Sequence, residues 1–409
     1  MRSPSGAIAR RIAGSLGPLI RPHFTEGNRV RLLASAQQYF PALLAAIAAA
    51  RRLVHLETYI FADDRIGQSV AQALVGAARR GVEVRVLIDG FGGGDFARQL
   101  AARLPEDGAK VRIYGPQHWW RPRRRLLRRM HRKLAVIDDR VAYLGGINVN
   151  DEPQRDEFTG EPIGPRFDVA VECEGPIVAA IASAMRRLWW AVAVANWSQM
   201  PEPAPRRVRA PQPIRGGMRA ALVLRDNLRH RHSIERSYLS SFRAARRQIL
   251  VASAYFLPGR RFRGALVSAA RRGVRVRLLL QGRVEYRLQH YAQRALYGQL
   301  LAAGIEIYEY QSSYLHAKVA AVDDEWATVG SSNIDPLSLL LAREANMVVR
   351  DRVFNEQLRV LIESAIVSDS HPLRTSDYER RSWASRVTHW IAYGIVRAAT
   401  VVLARGNNY

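Results

Sequence analysis

The chain contains one segment twice. Ala73-Leu-Val-Gly-Ala-Ala-Arg-Arg-Gly-Val-Glu-Val-Arg-Val-Leu-Ile-Asp-Gly90 returns as Ala265-Leu-Val-Ser-Ala-Ala-Arg-Arg-Gly-Val-Arg-Val-Arg-Leu-Leu-Leu-Gln-Gly282, with thirteen of eighteen positions identical. Around it the order of matches is kept. Ala49–Tyr59 corresponds to Ala244–Tyr255 with one inserted residue, and Val111-Arg-Ile-Tyr114 to Ile305-Glu-Ile-Tyr308. A tandem duplication restricts the fold severely, because both copies must form the same unit. Two such units are expected to face each other about a pseudo-two-fold axis.

The unit itself is α/β. Residues 28–52 read as a short strand and a helix, and Leu53–Phe61 as an apolar strand. Asp63, Asp64 and Gly67 then turn the chain into a helix, Ser69–Arg80, which Gly81 ends before the strand Val82–Ile88. Such alternation predicts a mixed β-sheet flanked by helices in each half. The length of 409 residues suffices for two full cores. The expected division is an N-terminal segment 1–27, a first domain 28–199, a Pro/Arg-rich linker 200–218, a second domain 219–367 and a tail 368–409.

Each copy carries the same polar signature. The first is His131-Arg-Lys133-Leu-Ala-Val-Ile-Asp138, followed by Gly145-Gly-Ile-Asn148; the second is His316-Ala-Lys318-Val-Ala-Ala-Val-Asp323, followed by Gly330-Ser331-Ser-Asn333. Side chains two apart on a strand share a face, so each His and Lys aim at one point. One such set is half a site. Two sets across the domain interface would meet a phosphodiester from opposite sides, giving a nucleophile on one face and a general acid behind the leaving oxygen. Lys133, Lys318 and the amides of Asn148 and Asn333 would donate to the non-bridging oxygens. Asp138 and Asp323 complete the signature and read as structural partners rather than proton carriers. No metal and no cofactor are expected.

The sequence here resembles the phospholipase D superfamily, whose His-x-Lys-(four residues)-Asp signature with Gly-Ser/Gly-x-Asn appears in both halves. Within it the chain is most similar to the bacterial cardiolipin synthases, through Leu56-Glu-Thr-Tyr-Ile-Phe61, Ile88-Asp-Gly-Phe-Gly92, Gly-Gly-Ile-Asn148 and Ser253-Ala-Tyr-Phe-Leu-Pro258. The resemblance implies phosphatidyl transfer between two phosphatidylglycerol molecules through a phosphatidyl-histidine intermediate. Carried over, His131 is the nucleophile and His316 the acid and then the base; near-symmetric halves also allow the reverse. It further implies a carboxylate downstream of each motif to orient the imidazole: Asp168 in the first copy and Glu344 in the second. Ser331 stands where the first motif has Gly146, so any hydroxyl contact is one-sided. Two other readings compete: a hydrolase cutting phospholipid or nucleic acid, and a non-catalytic basic scaffold.

Net charge decides between surfaces. At +26 the chain calls for a polyanionic partner. Of 62 basic residues only Lys110, Lys133 and Lys318 are lysine, so two of three lysines fall in the repeated motif. The run Trp119-Trp-Arg-Pro-Arg-Arg-Arg-Leu-Leu-Arg-Arg-Met-His131 mixes arginine with indole and leucine, which suits an anionic headgroup layer better than nucleic acid. In the tail, Trp383–Leu403 reads either as a helix in the membrane interface, with Arg386, Arg397 and Arg405 towards phosphates, or as one docked on the protein's own surface. No run reaches the roughly 20 apolar residues of a span. The expected location is therefore peripheral on the bacterial cell membrane, cytoplasmic face. A single cysteine, Cys173, excludes an internal disulfide and is expected on a half-buried strand.

Overall fold

In the computed structural model, which describes residues 22–115, 129–152, 155–156, 158–195, 208–226, 230–335, 342–374, 376 and 383–405, each of the seven long strands of the first half has a counterpart in the second. The first half runs β1 (Thr25–Leu33), α1 (Ala36–Ala49), β2 (Leu53–Thr58), α2 (Arg65–Arg79), β3 (Glu83–Asp89), α3 (Gly94–Arg103), β4 (Lys110–Tyr114), β5 (Arg129–Met130), β6 (Lys133–Ile137), β7 (Val141–Gly145), β8 (Ala170–Glu174) and α4 (Ile177–Ala195). The second runs β9 (Met218–Arg225), α5 (Ser233–Ala244), β10 (Gln248–Ser253), α6 (Arg260–Arg271), β11 (Arg275–Gln281), α7 (Arg287–Arg294), α8 (Tyr297–Leu301), β12 (Glu306–Tyr310), β13 (Lys318–Val322), β14 (Trp326–Gly330), β15 (Ala342–Arg350), α9 (Arg352–Asp369), β16 (Ser370–Leu373) and α10 (Trp383–Arg405).

Local chemistry explains where these elements begin and end. The α2 helix starts at Arg65, earlier than its apolar pattern predicts, because Asp64 Oδ1 accepts from Gly67 N at 2.8 Å and caps it. Gly81, at φ +82°, closes that turn without a Cβ penalty. The strand expected to reach Phe61 stops at Thr58, whose hydroxyl donates to the Ile60 carbonyl and turns the chain.

The sheets of the two halves are continuous. Their order is β16-β12-β11-β10-β13-β14-β15-β9-β1-β8-β7-β6-β2-β3-β4, and antiparallel pairing of β1 with β9 (Thr25 opposite Ala220) forms the seam. Outward from that seam both halves repeat one order, with three antiparallel hairpin-related strands and then a parallel set. The helices α4 and α9 pack into one core that crosses it, where Ile181 and Met185 meet Leu358 and Ile362 over strands of both halves. Two outer cores lie under α1–α3 and under α5, α6 and α8.

Two expectations need correction. The α4 segment Ile177–Val194 is long and apolar enough to cross a membrane by length and composition, but 61% of it is buried inside the protein. Trp189 is fully buried there, with the Arg112 guanidinium 4.0 Å from its ring centroid. Cys173, expected half-buried, is wholly buried on β8, and burial pushes its thiol far above the ordinary range. Trp197, linker residues 200–207 and the Trp/Arg run from 119 to 128 lie outside the described residues.

Candidate active site

Both signature histidines stand just before a strand, His131 before β6 and His316 before β13, and both have their backbone tied to the other half. His131 N donates to Arg343 O at 3.0 Å, where β5 pairs parallel with the start of β15. His316 N donates to Phe167 O at 2.9 Å, beside a parallel bridge between Phe167 and Leu315. The residues that follow those acceptors are Glu344 and Asp168. Each carboxylate is therefore delivered to the opposite histidine.

The side chains meet accordingly. His131 Nδ1 lies 3.2 Å from the Glu344 carboxylate, and His316 Nδ1 lies 2.6 Å from Asp168 Oδ2. The expectation that each carboxylate serves its own copy is thus corrected: the pairs are crossed. A carboxylate on Nδ1 keeps the proton there and leaves Nε2 for chemistry. The strand registers of Asp168 and Glu344 are equivalent, since Gly145 pairs with Ala170 and Gly330 with Asn346. What differs is the residue facing each. Ser331 Oγ donates to Glu344 Oε2 at 2.5 Å, whereas a Cβ on Gly146 would come within 2.1 Å of Asp168 Oδ1. The first motif needs glycine because its carboxylate fills the space.

Charge in this buried space is finely balanced. Burial works to raise both carboxyls, yet His316 and Lys318 hold Asp168 below its ordinary value, and His131, Lys133 and Ser331 do the same for Glu344. Burial lowers the Lys133 ammonium to about 7, with Glu344 opposing, and Lys318 to about 8, with Asp168 and Glu344 opposing. Burial, then Lys318, lowers the His316 imidazole to about 4 against the pull of Asp168. Lys133 Nζ donates to His131 O at 2.7 Å, and Lys318 Nζ bonds His316 O in the same way. Each lysine thus doubles back beside its own histidine. Arg132, between them, turns to the other face and pairs with buried Glu57, as strand alternation requires.

The remaining signature residues divide. Asn148 lines the cleft, its Oδ1 accepting from Ile60 N at 3.3 Å. Asn333 is buried, and its Oδ1 has no partner among the described residues. Asp138 and Asp323 are not brought to the histidines; they sit at the far ends of β6 and β13. Asp138 accepts from the backbone N–H of Arg51, Arg52 and Leu53, and Asp323 from those of Arg246, Arg247 and Gln248. Both adopt positive φ (54° and 48°), a conformation in which Asp is tolerated at hairpin turns.

His131 and His316 line one cleft of about 290 Å³ between the halves. The repeat did not disclose its other walls. Tyr59, whose ring centroid is 4.9 Å from that of His131, and its counterpart Tyr255 could have been found by aligning the copies. Glu152, Arg166, Glu285 and Gln289 could not, because they lie where the halves differ. Among the described residues no group of three or more His, Cys, Asp or Glu side chains is arranged to hold a metal ion.

Comparison with known proteins places this geometry. A family model described as "Cardiolipin synthase, PLD-like domain" matches residues 43–157 and 238–366, once in each half. The chain is 40% identical over 389 residues to cardiolipin synthase B of Salmonella typhi, covering 91% of this chain and 88% of that one. It is 39% identical over 385 residues to cardiolipin synthase B of Escherichia coli K12, with the same coverage of 91% and 88%. Its fold is similar to the crystal structure of phosphatidylserine synthase from Haemophilus influenzae Rd KW20, with TM-score 0.70 at 12% identity, covering 97% and 98% of the two chains.

Proposed function

The chain belongs to the cardiolipin synthase family of phospholipase D-like proteins, and on that footing we propose that it is a phosphatidyltransferase joining two phosphatidylglycerol molecules into cardiolipin and glycerol. His131 Nε2 attacks the phosphorus of the first lipid. The bond from phosphorus to the headgroup glycerol breaks, and His316 gives that oxygen its proton. The hydroxyl of the second lipid then attacks the phosphatidyl-histidine, His316 takes its proton back, and the phosphorus–nitrogen bond opens. Lys133 and Lys318 neutralise the non-bridging oxygens. The observation that carries the reading is the pair of crossed imidazole–carboxylate contacts opening into one cleft.

The order of the two histidines is set by the cleft's asymmetry: hydrogen-bonding groups not otherwise used gather beside His316. Its imidazole, neutral in the empty site, favours the reverse order. A phosphodiester anion between the lysines opposes that, because added negative charge restores proton affinity. Mapping the adduct tests it. With a p-nitrophenyl phosphodiester, whose leaving group needs no acid, His316→Ala is expected to accumulate label on His131. Label on His316 in a His131→Ala variant alone would reverse the roles. Product analysis with labelled phosphatidylglycerol tests the reaction itself, and phosphatidic acid as the sole product would make it a hydrolase.

Peripheral attachment to the cytoplasmic leaflet follows from charge and from α10. One face of that helix, Ala392, Val396 and His389, is buried, with His389 stacked on Tyr291 of α7. The other leaves Val387, Trp390, Ile391 and Ile395 exposed. Docking on the protein and lying in the interface are thus compatible on opposite faces. The side chains of Arg386 and Arg405 lie outside the described residues. Net charge +26 suits an anionic leaflet and not a zwitterionic one.

A further inference from the structure

The duplication makes the two histidines alike, yet the walls beside them are not. On the His131 side the cleft is lined by Tyr59, Ile60 and Ile147. On the His316 side it is lined by Glu152, Arg166, Glu285 and Gln289. These four come from places the repeat does not share. Glu152 and Arg166 belong to the longer connection of the first half, where 20 residues separate Asn148 from Asp168 against 11 between Asn333 and Glu344. Glu285 and Gln289 come from the turn into α7. The connection is fastened across the cleft at several points: Arg166 Nη1 to Glu285 Oε1 at 2.8 Å, Ser313 Oγ to Pro165 O at 2.6 Å, and Arg283 Nη1 to Asp156 Oδ2 at 3.0 Å. The polar wall is therefore built and held.

The proposed reaction has no step for these groups. It does have an unmet requirement. The departing glycerol oxygen and the attacking lipid hydroxyl must both stand opposite the nucleophilic nitrogen, and both exchange a proton with the same histidine. One headgroup position must therefore serve both alcohols in turn. We propose that Glu152, Arg166 and Gln289, beside His316, form a single subsite for a neutral vicinal-diol headgroup, filled first by the departing glycerol and then by the glycerol of the acceptor lipid. This rests on the transferase reading above.

The chemistry of the wall selects a diol over an amino alcohol. Both oxygens of Glu285 are engaged, one by Arg166 and the other by the Tyr255 hydroxyl at 2.8 Å, so its charge is already compensated. Arg166 presents donors only, which a hydroxyl can satisfy and an ammonium cannot. Glu152 stands near Asp168 and is held up to about 7 by burial, then by that neighbouring charge, so it can donate to or accept from a hydroxyl near neutral pH. A diol matches a wall that offers both roles.

The test uses the full chain in mixed micelles with phosphatidyl-p-nitrophenol as donor. Release of p-nitrophenol reports adduct formation, and the products report partition of the adduct among water, glycerol and ethanolamine. The wild type is expected to be captured by glycerol well before ethanolamine. Glu152→Gln and Gln289→Leu are each expected to raise the glycerol concentration for half-capture by about 10- to 100-fold, the range for a lost hydrogen bond in a closed site. Any fall in p-nitrophenol release should be at least about tenfold smaller than that. Equal capture by glycerol and ethanolamine in the wild type overturns the proposal. So does a parallel loss of release and capture in both variants at unchanged thermal midpoint. A wild type that releases p-nitrophenol but yields phosphatidic acid at every alcohol concentration refutes the transferase reading itself.

Discussion

Glu344, on β15 of the second half, holds Nδ1 of His131 from the first half at 3.2 Å, while Asp168 of the first half holds His316 of the second at 2.6 Å. Neither half contains a complete imidazole–carboxylate pair of its own. The coupling predicted is between halves: His131→Ala and Glu344→Ala should be strongly non-additive in turnover, and His131→Ala with Asp168→Ala much less so in adduct formation. Glu344→Gln should cut adduct formation by about 10²–10⁴-fold, because an amide can donate to Nδ1 and fix the wrong tautomer. Stronger coupling within each copy than between copies would contradict the crossing.

Gly146 and Ser331 occupy equivalent places with opposite demands. Gly146→Ala drives a Cβ against Asp168 Oδ1 and should destabilise the protein by about 1–3 kcal/mol while displacing the carboxylate from His316. Ser331→Ala removes one donor to Glu344 and should weaken the His131 step with a smaller stability cost. Thermal midpoints and single-turnover rates separate the two.

Asp138 and Asp323 are expected to matter for folding and not for chemistry. Either Asp→Ala change strands three backbone N–H groups and should cost about 1–3 kcal/mol of stability. Protein that remains folded at low temperature should keep most of its turnover per molecule. A thousandfold loss in folded protein would put these aspartates in the reaction.

The lysines set the alkaline limit. Both are lowered from the ordinary 10.5 by burial, Lys133 to about 7 and Lys318 to about 8. A lowered ammonium is charged below its folded pKa and neutral above it, so affinity of the free enzyme for a phosphodiester should fall as pH rises through 7–8. Titrating a non-hydrolysable short-chain phosphodiester against the protein from pH 5 to 9 measures this. Turnover should be bell-shaped, and a flat profile over the same range would count against the paired-histidine mechanism.

The outer face of α10 is open to substitution without touching the cleft. Ile391→Glu with Ile395→Glu replaces apolar contact by charge on the exposed face and should weaken binding to anionic vesicles by about tenfold or more. Hydrolysis or transfer of a dispersed short-chain lipid should fall far less. Vesicle flotation unaffected by the double change would remove α10 from the membrane contact.

Much of this site is written in the linear chain because duplication writes it twice. His131, Lys133, His316 and Lys318 repeat at one spacing, and strand alternation alone predicts that each pair shares a face. The α/β character and the two-fold arrangement are equally local, since each copy carries its own strand and helix periods. Glu152, Arg166, Glu285 and Gln289 were hidden for the opposite reason. They break the repeat, and nothing in their spacing says that a long connection folds back across the other half.

By itself, then, the sequence determined that two like α/β units each bring a histidine and a lysine, because those features depend on neighbours in the chain. Which carboxylate serves which histidine was decided by tertiary structure alone. Parallel pairing of β5 with β15, and of Phe167 with Leu315, carries Glu344 and Asp168 across the seam. That choice depends on strand pairing between residues 148 and 213 positions apart, beyond the reach of any local period.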